Sequence, residues 1–370
     1  MTAPASAAPR PGDLEPRPGH GSRRWRVALL GLGGASLLAG LDAALVALGV
    51  WAPVPAAHLP GVHGMVMVLG FMGTLISLER AQALRQPWAY LAPALLGSGG
   101  ITLAAGLPVL GQLLLVQGAA AFLAVYLALW RRAPLPLVAV QVLSTIPALA
   151  AAALWFRVDL AALIPLLAAF LVLTIAAERA ELAQLALGPR AVPILLVLSA
   201  WVTGAAASAL VWPDAGARLL GAGLLATAAW LARDDVARRM VRTTTGLRRY
   251  NGAALLAGYA WLAVAGLVWL VGGAPGSDAA YDVVIHTTFL GFGVSMVMAH
   301  APIIFPAVLG RPLPYRPILW LPLALLHGGL LFRVVGDALG RGALWQGGSV
   351  VTVVSLLVFA ASAAWCVVRA

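Results

Sequence analysis

Four of the six histidines of this chain lie within long apolar segments, an unusual place for an ionisable side chain. They are His63, His286, His300 and His327, and His58 lies just before the segment that contains His63. Such groups are costly in a hydrocarbon environment and generally mark functional sites. Because imidazole ligates both haem iron and copper, these residues predict a metal or haem site inside a membrane.

The scarcity of cysteine narrows the chemistry that such a site could perform. Cys366 is the only cysteine, so the chain can form no internal disulfide and has no CxxCH motif for covalent haem attachment. Iron–sulfur clusters held by four thiolates are excluded for the same reason. Any redox cofactor would therefore be held by histidine, methionine or carboxylate.

The positions of the histidines along their segments sort them by depth. His63 and His286 lie near the outer ends of two segments that run inward, and His327 lies near the middle of a segment that runs outward. Arg333 follows six residues after His327, near the outer surface. We therefore expect His63, His286, His327 and Arg333 to converge in the outer half of a helix bundle.

This outer set could hold a non-covalent haem b. Two facing histidines on different helices would supply the axial ligands, and Arg333 would pair with a propionate. Copper is a further metal that imidazole binds, and its candidate ligands are His58, His63, His286 and His300. The alternative is that these histidines only form hydrogen bonds between helices.

Asp42 is a candidate partner for the outer set. It lies within the first apolar segment, about two turns from the outer end. We expect it to pair with an outer histidine or with Arg333, because a carboxylate often holds the far nitrogen of a ligating histidine.

A second group of polar residues belongs at the inner ends of the helices. Glu79 and Glu178 end two segments, and His300 lies at a similar depth. Since carboxylate–histidine relays mark proton paths in membranes, these three residues could form a proton-entry or metal site. Each Glu is followed by an arginine, Arg80 or Arg179, so an interfacial ion pair is the alternative interpretation.

The composition shows which environment must hold these residues. The 370 residues are 62% hydrophobic and 10% charged, and the mean hydropathy is +0.94. Soluble proteins carry about 25% charged residues, so a soluble enzyme, a secreted scaffold and a disordered chain are excluded. We predict an all-α, polytopic membrane helix bundle.

The apolar runs predict twelve transmembrane helices, because each is close to the roughly 20 residues that span a bilayer. Residues 1–26 are predicted to be a flexible cytoplasmic tail, and residues 27–370 a single transmembrane domain. The segments, numbered 1 to 12, are residues 27–51, 61–79, 88–106, 107–130, 134–156, 160–178, 190–212, 217–233, 251–273, 282–305, 316–335 and 344–368.

A repeated pattern divides these helices into three four-helix units, at about residues 27–130, 134–233 and 251–368. Segments 2, 6 and 10 contain LGFMGTLISLER, AAFLVLTIAAER and LGFGVSMVMAHA. In each, a Phe is followed eight residues later by a polar group, Glu79, Glu178 or His300. Repeats of this kind place functional sites at the interface between units.

The arginines predict the orientation. All 24 basic residues are arginines, and with a cytoplasmic tail only Arg157, Arg218, Arg333 and Arg341 fall outside. This asymmetry predicts that both termini are cytoplasmic. The most basic loop, residues 233–250, is expected to contact anionic lipid headgroups rather than nucleic acid.

Two pieces of sequence resemble a known family. WAPVPAAHLPGVHGMVMVLGF and IHTTFLGFGVSMVMAHAPIIFPAVLGRPL are similar to segments of the NnrS family, whose twelve-helix plan resembles subunit I of the haem–copper oxidases. NnrS proteins are bacterial membrane proteins described as haem- and copper-containing and linked to nitric oxide stress. The resemblance matches His63 and His286 to the family's histidines on helices 2 and 10, and His300 to the histidine before its GRPL-like turn.

The resemblance implies a haem-binding, and additionally copper-binding, protein of the bacterial cytoplasmic membrane. It would act in nitric oxide handling or in electron transfer from quinol or a small redox donor, and as an enzyme it would be an oxidoreductase acting on nitric oxide or quinol. Segments 6 and 7 carry no histidine, which argues against a terminal oxidase. The alternatives are a transporter of copper or haem that uses the histidines and methionines of segments 2 and 10, and a bundle without a cofactor.

Overall fold

The computed structural model describes residues 20–182 and 188–369, and within them the secondary structure is helical, with no β-strand. We number the long helices α1 to α12 in chain order. They are α1 His20–Ala47, α2 Leu59–Leu84, α3 Leu91–Ala104, α4 Pro108–Arg132, α5 Pro136–Leu154, α6 Leu160–Leu182, α7 Ala191–Ser208, α8 Pro213–Asp234, α9 Gly246–Gly272, α10 residues 278–309, α11 Trp320–Ala338 and α12 Gly342–Val368.

Eleven of the helices in the described residues are long and apolar enough to cross a membrane. The exception is α3, whose 14 residues extend only about 21 Å. It packs between α1, α2 and α4, and a short 3₁₀ turn, Pro87–Tyr90, precedes it. The prediction of an all-helical fold is therefore confirmed for the described residues, which contain eleven candidate membrane spans where twelve were predicted.

The first helix begins earlier than the sequence analysis placed it. α1 starts at His20, so residues 20–26 of the predicted tail are helical. Residues 1–19 lie outside the described residues. A short helix, Ala237–Thr243, also interrupts the basic loop between α8 and α9.

Proline and glycine make the tight connection between α3 and α4. Gly106 has a φ of +79°, a conformation that costs glycine little, and Pro108 occupies the first turn of α4. Proline suits that position because the amide of the first turn has no partner within the helix. The connection is only three residues long, so α3 and α4 pack side by side as neighbours.

Small residues allow α1, α2 and α3 to approach closely. A Cβ on Gly100 of α3 would lie 2.9 Å from the Cα of Gly70 on α2 and 2.6 Å from the Oγ of Ser36 on α1. Small residues at such crossings are typical of membrane helices, whose association depends on close packing.

Replacing Gly100 by valine is expected to lower the free energy of unfolding by about 1–3 kcal/mol, the usual cost of overpacking. The melting temperature of the purified protein would measure the loss. Gly34→Ala is the control, because nothing lies within 4 Å of a Cβ at that position. Equal melting temperatures for the two variants would contradict this account.

Helices α2 and α10 share a departure from regular α-helix. Each contains an eight-residue π-helical segment, Val66–Gly73 in α2 and Thr287–Val294 in α10. In both, a hydroxyl just beyond the segment donates to the carbonyl of a glycine four residues earlier, from Thr74 at 2.6 Å and from Ser295 at 2.5 Å. Segments of this kind are frequent at functional sites.

Helices α2 and α10, which carry two of the three copies of the sequence pattern, share this π-helical feature. The glycines that accept these bonds, Gly70 and Gly291, are the second residues of the two LGF motifs. Helix α6 is regular throughout Leu160–Leu182, and its Thr174 donates instead to Ser144 of α5.

Candidate functional site

A cavity of about 470 Å³ lies at the end of the bundle where α1 ends and α2 begins. Helices α1, α2, α6, α10, α11 and α12 contribute to its walls. We call it the outer cavity. Its size is within the usual range for small-molecule sites, about 300–1,000 Å³. His63 of α2 and His286 of α10 both line it, as predicted from their depth.

The two histidines of the outer cavity are held in the same way. The Nδ1 of His63 lies 2.9 Å from the carbonyl of Gly40, and the Nδ1 of His286 lies 2.9 Å from the carbonyl of Asp282. A carbonyl can only accept, so each Nδ1 carries the proton. Each Nε2 is then left with its lone pair and no protein partner in the described part of the chain. This is the tautomer that binds a metal through Nε2.

Arg333 lines the outer cavity, but a carboxylate already holds it. Its Nε and Nη2 donate to the two carboxylate oxygens of Asp282 at 2.6 and 2.5 Å. Trp345 donates to the same carboxylate at 3.2 Å, and the Arg333 guanidinium carbon lies 5.5 Å from the centroid of the Trp345 ring. Asp282 also lies 3.2 Å from the Nδ1 of His286. One carboxylate thus links the arginine to a cavity histidine.

Asp282, rather than Asp42, pairs with an outer histidine and with Arg333. Asp42 is buried, and its carboxylate accepts a hydrogen bond from the backbone amide of Val54 at 3.1 Å. In the described structure it pairs neither with an outer histidine nor with Arg333. Asp42 lies in the last turns of α1, and its short side chain can hold the backbone of the loop that follows the helix. The signal for Asp282 was present in the sequence, because Asp282 and His286 are four residues apart on one helix face.

Two predicted ligands lie outside the outer cavity. His327 does not line it, and its Nδ1 accepts a hydrogen bond from Trp261 of α9 at 3.0 Å. Its Nε2 is buried and has no hydrogen-bond partner among the described residues. His58 is exposed at the start of α2, where its Nε2 bonds the carbonyl of Ala104 at 3.0 Å. Both are therefore bound to neighbouring helices.

The three residues of the predicted inner site do meet. Glu79, Glu178 and His300 line a small cavity of about 60 Å³ among α1, α2, α6 and α10. We call it the inner cavity. Met72 is a buried side chain that lines both this cavity and the outer one.

The two glutamates share one arginine. Arg80 lies 2.6 Å from Glu79, 3.6 Å from Glu178 and 3.2 Å from Glu181, whose carboxylate also accepts from Gln141 at 2.9 Å. The expected ion pair between a glutamate and the arginine that follows it is thus present for Glu79. Glu178 pairs across to Arg80 instead.

Arg179 belongs to a different, buried network. It donates to the two carboxylate oxygens of Asp235 at 3.0 and 2.8 Å, and Tyr259 donates to the same carboxylate. The Nδ1 of His300 donates to the carbonyl of Met296 at 2.7 Å, and its Nε2 lies 3.2 Å from the Arg179 guanidinium. Because that nitrogen accepts from Arg179, it is occupied by a proton donor.

The four candidate copper ligands do not form one site. His63 and His286 share the outer cavity, His58 bonds α3 outside it, and His300 lies at the inner cavity. The described residues contain no group of three or more His, Cys, Asp or Glu side chains arranged to hold a metal ion. The structure therefore brings together only two of the four.

Comparison with known proteins gives a family but no activity. No curated protein matches the chain significantly. A family described as a domain of unknown function, DUF8744, matches residues 26–368, which is nearly the whole chain and includes both cavities. The chain belongs to this DUF8744 family.

Proposed function

We propose that the outer cavity binds haem b, which His63 and His286 would hold through their Nε2 atoms. One observation carries this proposal: both histidines donate from Nδ1 to a carbonyl, which leaves two Nε2 lone pairs at one cavity. Ligating histidines in proteins are commonly oriented by a hydrogen bond of this kind.

The rest of the cavity wall is compatible with a flat, largely apolar ligand that carries acid groups. Its apolar wall includes Val68, Phe289 and Leu356. The Nη1 of Arg333 is not used in the bonds to Asp282, so it can donate to a propionate. The carboxylate of Asp282 would then balance the charge of the guanidinium and orient His286 at the same time.

Bound haem would supply one-electron chemistry at this end of the membrane. Held by His63 and His286, the group would supply electron transfer from quinol or a small redox donor. Nitric oxide handling is the role implied by the resemblance to the NnrS family. The proposed activity is therefore that of an oxidoreductase whose first step is electron transfer.

The inner cavity is proposed as a proton site that serves this chemistry. Glu79 and Glu178 would bind the proton at the end of the bundle opposite the outer cavity. His300, whose Nδ1 donates to a backbone carbonyl and whose Nε2 accepts from Arg179, would join them only when its bond to Arg179 breaks. Arg80 keeps the charge of the two carboxylates partly balanced. Chains of such groups carry protons in other membrane proteins.

The proposed membrane topology has twelve spans in three four-helix units. The 3₁₀ turn Pro87–Tyr90 and α3 together extend from residue 87 to residue 104, and neighbouring helices shield them on several sides. With α3 as a span, both termini lie on the side that holds most of the arginines. That side would be the cytoplasm of a bacterial cell, and the membrane its cytoplasmic membrane.

Haem and metal analysis of the purified protein tests the function. We expect about one haem b per chain by the pyridine haemochrome assay, since the cavity presents one pair of histidines. Haem-free protein that contains copper would contradict the proposal. It would favour the second candidate, a copper transporter, for which the thioethers of Met67 and Met72 in the outer cavity provide soft ligands.

A further inference from the structure

A second groove lies at the end of the bundle that holds the inner cavity. It has a volume of about 620 Å³ and is formed by the start of α1, the end of α2 and the turn that leads into α3. Its polar lining residues are Arg26, Arg85, Gln82, Gln86 and Tyr90. Among the described residues, two guanidinium groups and no acidic side chain line the groove, so its charge favours an anion.

The backbone at Arg85 is unusual. Arg85 ends α2 in the left-handed region, with φ +57° and ψ +33°, and it is the only non-glycine residue with positive φ in the described structure. Glycine is the usual residue at this position of a helix end, because a Cβ makes the conformation costly. Residues held in such conformations cluster at ligand sites, where the side chain itself is needed.

The chain immediately after Arg85 fixes the shape of the groove. Gln86 is extended, with φ −112° and ψ 135°, as expected of a residue before proline. Pro87 begins the 3₁₀ turn that brings Tyr90 back towards α2, where its hydroxyl donates to the Oε1 of Gln82 at 2.6 Å. The hydrogen-bonded side chains of Tyr90 and Gln82 therefore form one wall of the groove.

Arg26 contributes a buried cation. It is only 8% exposed, although it lies in the first turns of α1 beside two highly exposed residues, Arg24 and Trp25.

The apolar part of the groove indicates the kind of anion. Trp25 and Leu91 line it and are 75% and 56% exposed. They lie at the level where α1 begins and α2 ends, which is where a spanning helix meets the headgroup region of a bilayer. A ligand that combines a phosphate with an acyl chain would contact both the cations and this apolar rim.

We propose that this groove binds an anionic phospholipid, with its phosphate held by Arg26 and Arg85 and its acyl chain against Trp25 and Leu91. Basic pockets between helices are known to hold lipid headgroups on the cytoplasmic side of membranes. The site is independent of the haem proposal, because it shares no lining residue with either cavity.

Thermal unfolding of the full-length protein in neutral detergent tests the site. Added dioleoylphosphatidylglycerol should raise the melting temperature in a saturable way, because a ligand that binds only the folded state stabilises it. Dioleoylphosphatidylcholine and inorganic phosphate should not. An equal rise with phosphatidylcholine would show a general lipid effect, and an equal rise with inorganic phosphate a free-phosphate site. Either result would overturn the proposal.

The Arg85→Gly variant distinguishes an effect on lipid binding from an effect on the stability of the fold. Glycine relieves the left-handed conformation, so the variant should melt higher than the wild type without lipid. It should bind phosphatidylglycerol about tenfold more weakly, as expected for the loss of one charge-assisted hydrogen bond. Arg26→Gln should weaken binding similarly, and Arg132→Gln, at the exposed end of α4, should not. Unchanged phosphatidylglycerol binding in both groove variants would overturn the proposal.

Discussion

Replacing either His63 or His286 with alanine is expected to remove haem from the purified protein. Each would lose a direct ligand to the iron, whereas changes to residues that merely orient a ligand already weaken metal binding about 10–100-fold. We therefore expect haem retention to fall at least about 100-fold. The absorbance spectrum and the haem content per chain measure the effect.

The other histidines provide matched controls for this experiment. His58→Ala and His327→Ala remove a histidine that bonds a neighbouring helix and does not line the outer cavity. Both variants should keep the wild-type spectrum. If His327→Ala abolished the spectrum while His63→Ala left it unchanged, the pair of axial ligands proposed here would be wrong.

Replacing Asp235 with asparagine is expected to lower the free energy of unfolding by about 3–5 kcal/mol, the usual cost of breaking a buried ion pair. The Asp235 side chain is fully buried and the Arg179 side chain is 8% exposed, so water cannot replace the lost charge. Tyr259 would also lose the ionised acceptor of its hydrogen bond. Unfolding in detergent, followed by circular dichroism, gives the difference.

The neighbouring residue provides the control for Asp235. Asp234 pairs with Arg233, whose side chain is 72% exposed, so Asp234→Asn should leave the stability unchanged. The two substitutions are chemically identical and one residue apart. Equal stabilities for the two variants would show that the buried network does not stabilise the fold.

The long apolar helices and the shared end of His63 and His286 could be predicted from the sequence, because both depend on simple spacing. Apolar runs report where helices lie, and the positions of His63 and His286 within their runs report their depth. That depth placed both at one end of the bundle, where they share the outer cavity.

The partners of these residues were harder to predict, because they depend on how the helices rotate and pack. Asp42 and Asp282 were both carboxylates at suitable depth, but only Asp282 is on the same helix face as His286 and near Arg333. His327 has suitable depth as well, yet α11 turns it towards Trp261 of α9. The depth of a residue follows from its position in one segment, whereas the direction of its side chain depends on how all the helices pack.

The π-helical segments change which side chains share a face along α2 and α10. A regular α-helix repeats its faces every 3.6 residues, so positions before and after any point keep a fixed angular phase. The wider turns of Val66–Gly73 and Thr287–Val294 reset that phase halfway along α2 and α10. Side chains before and after the π-helical segment therefore face directions that a single regular helical wheel does not predict. A wheel drawn through His286 and His300 misplaces one of the two. Removing a single residue from either segment would rotate the inner half of the helix while leaving its outer half in place.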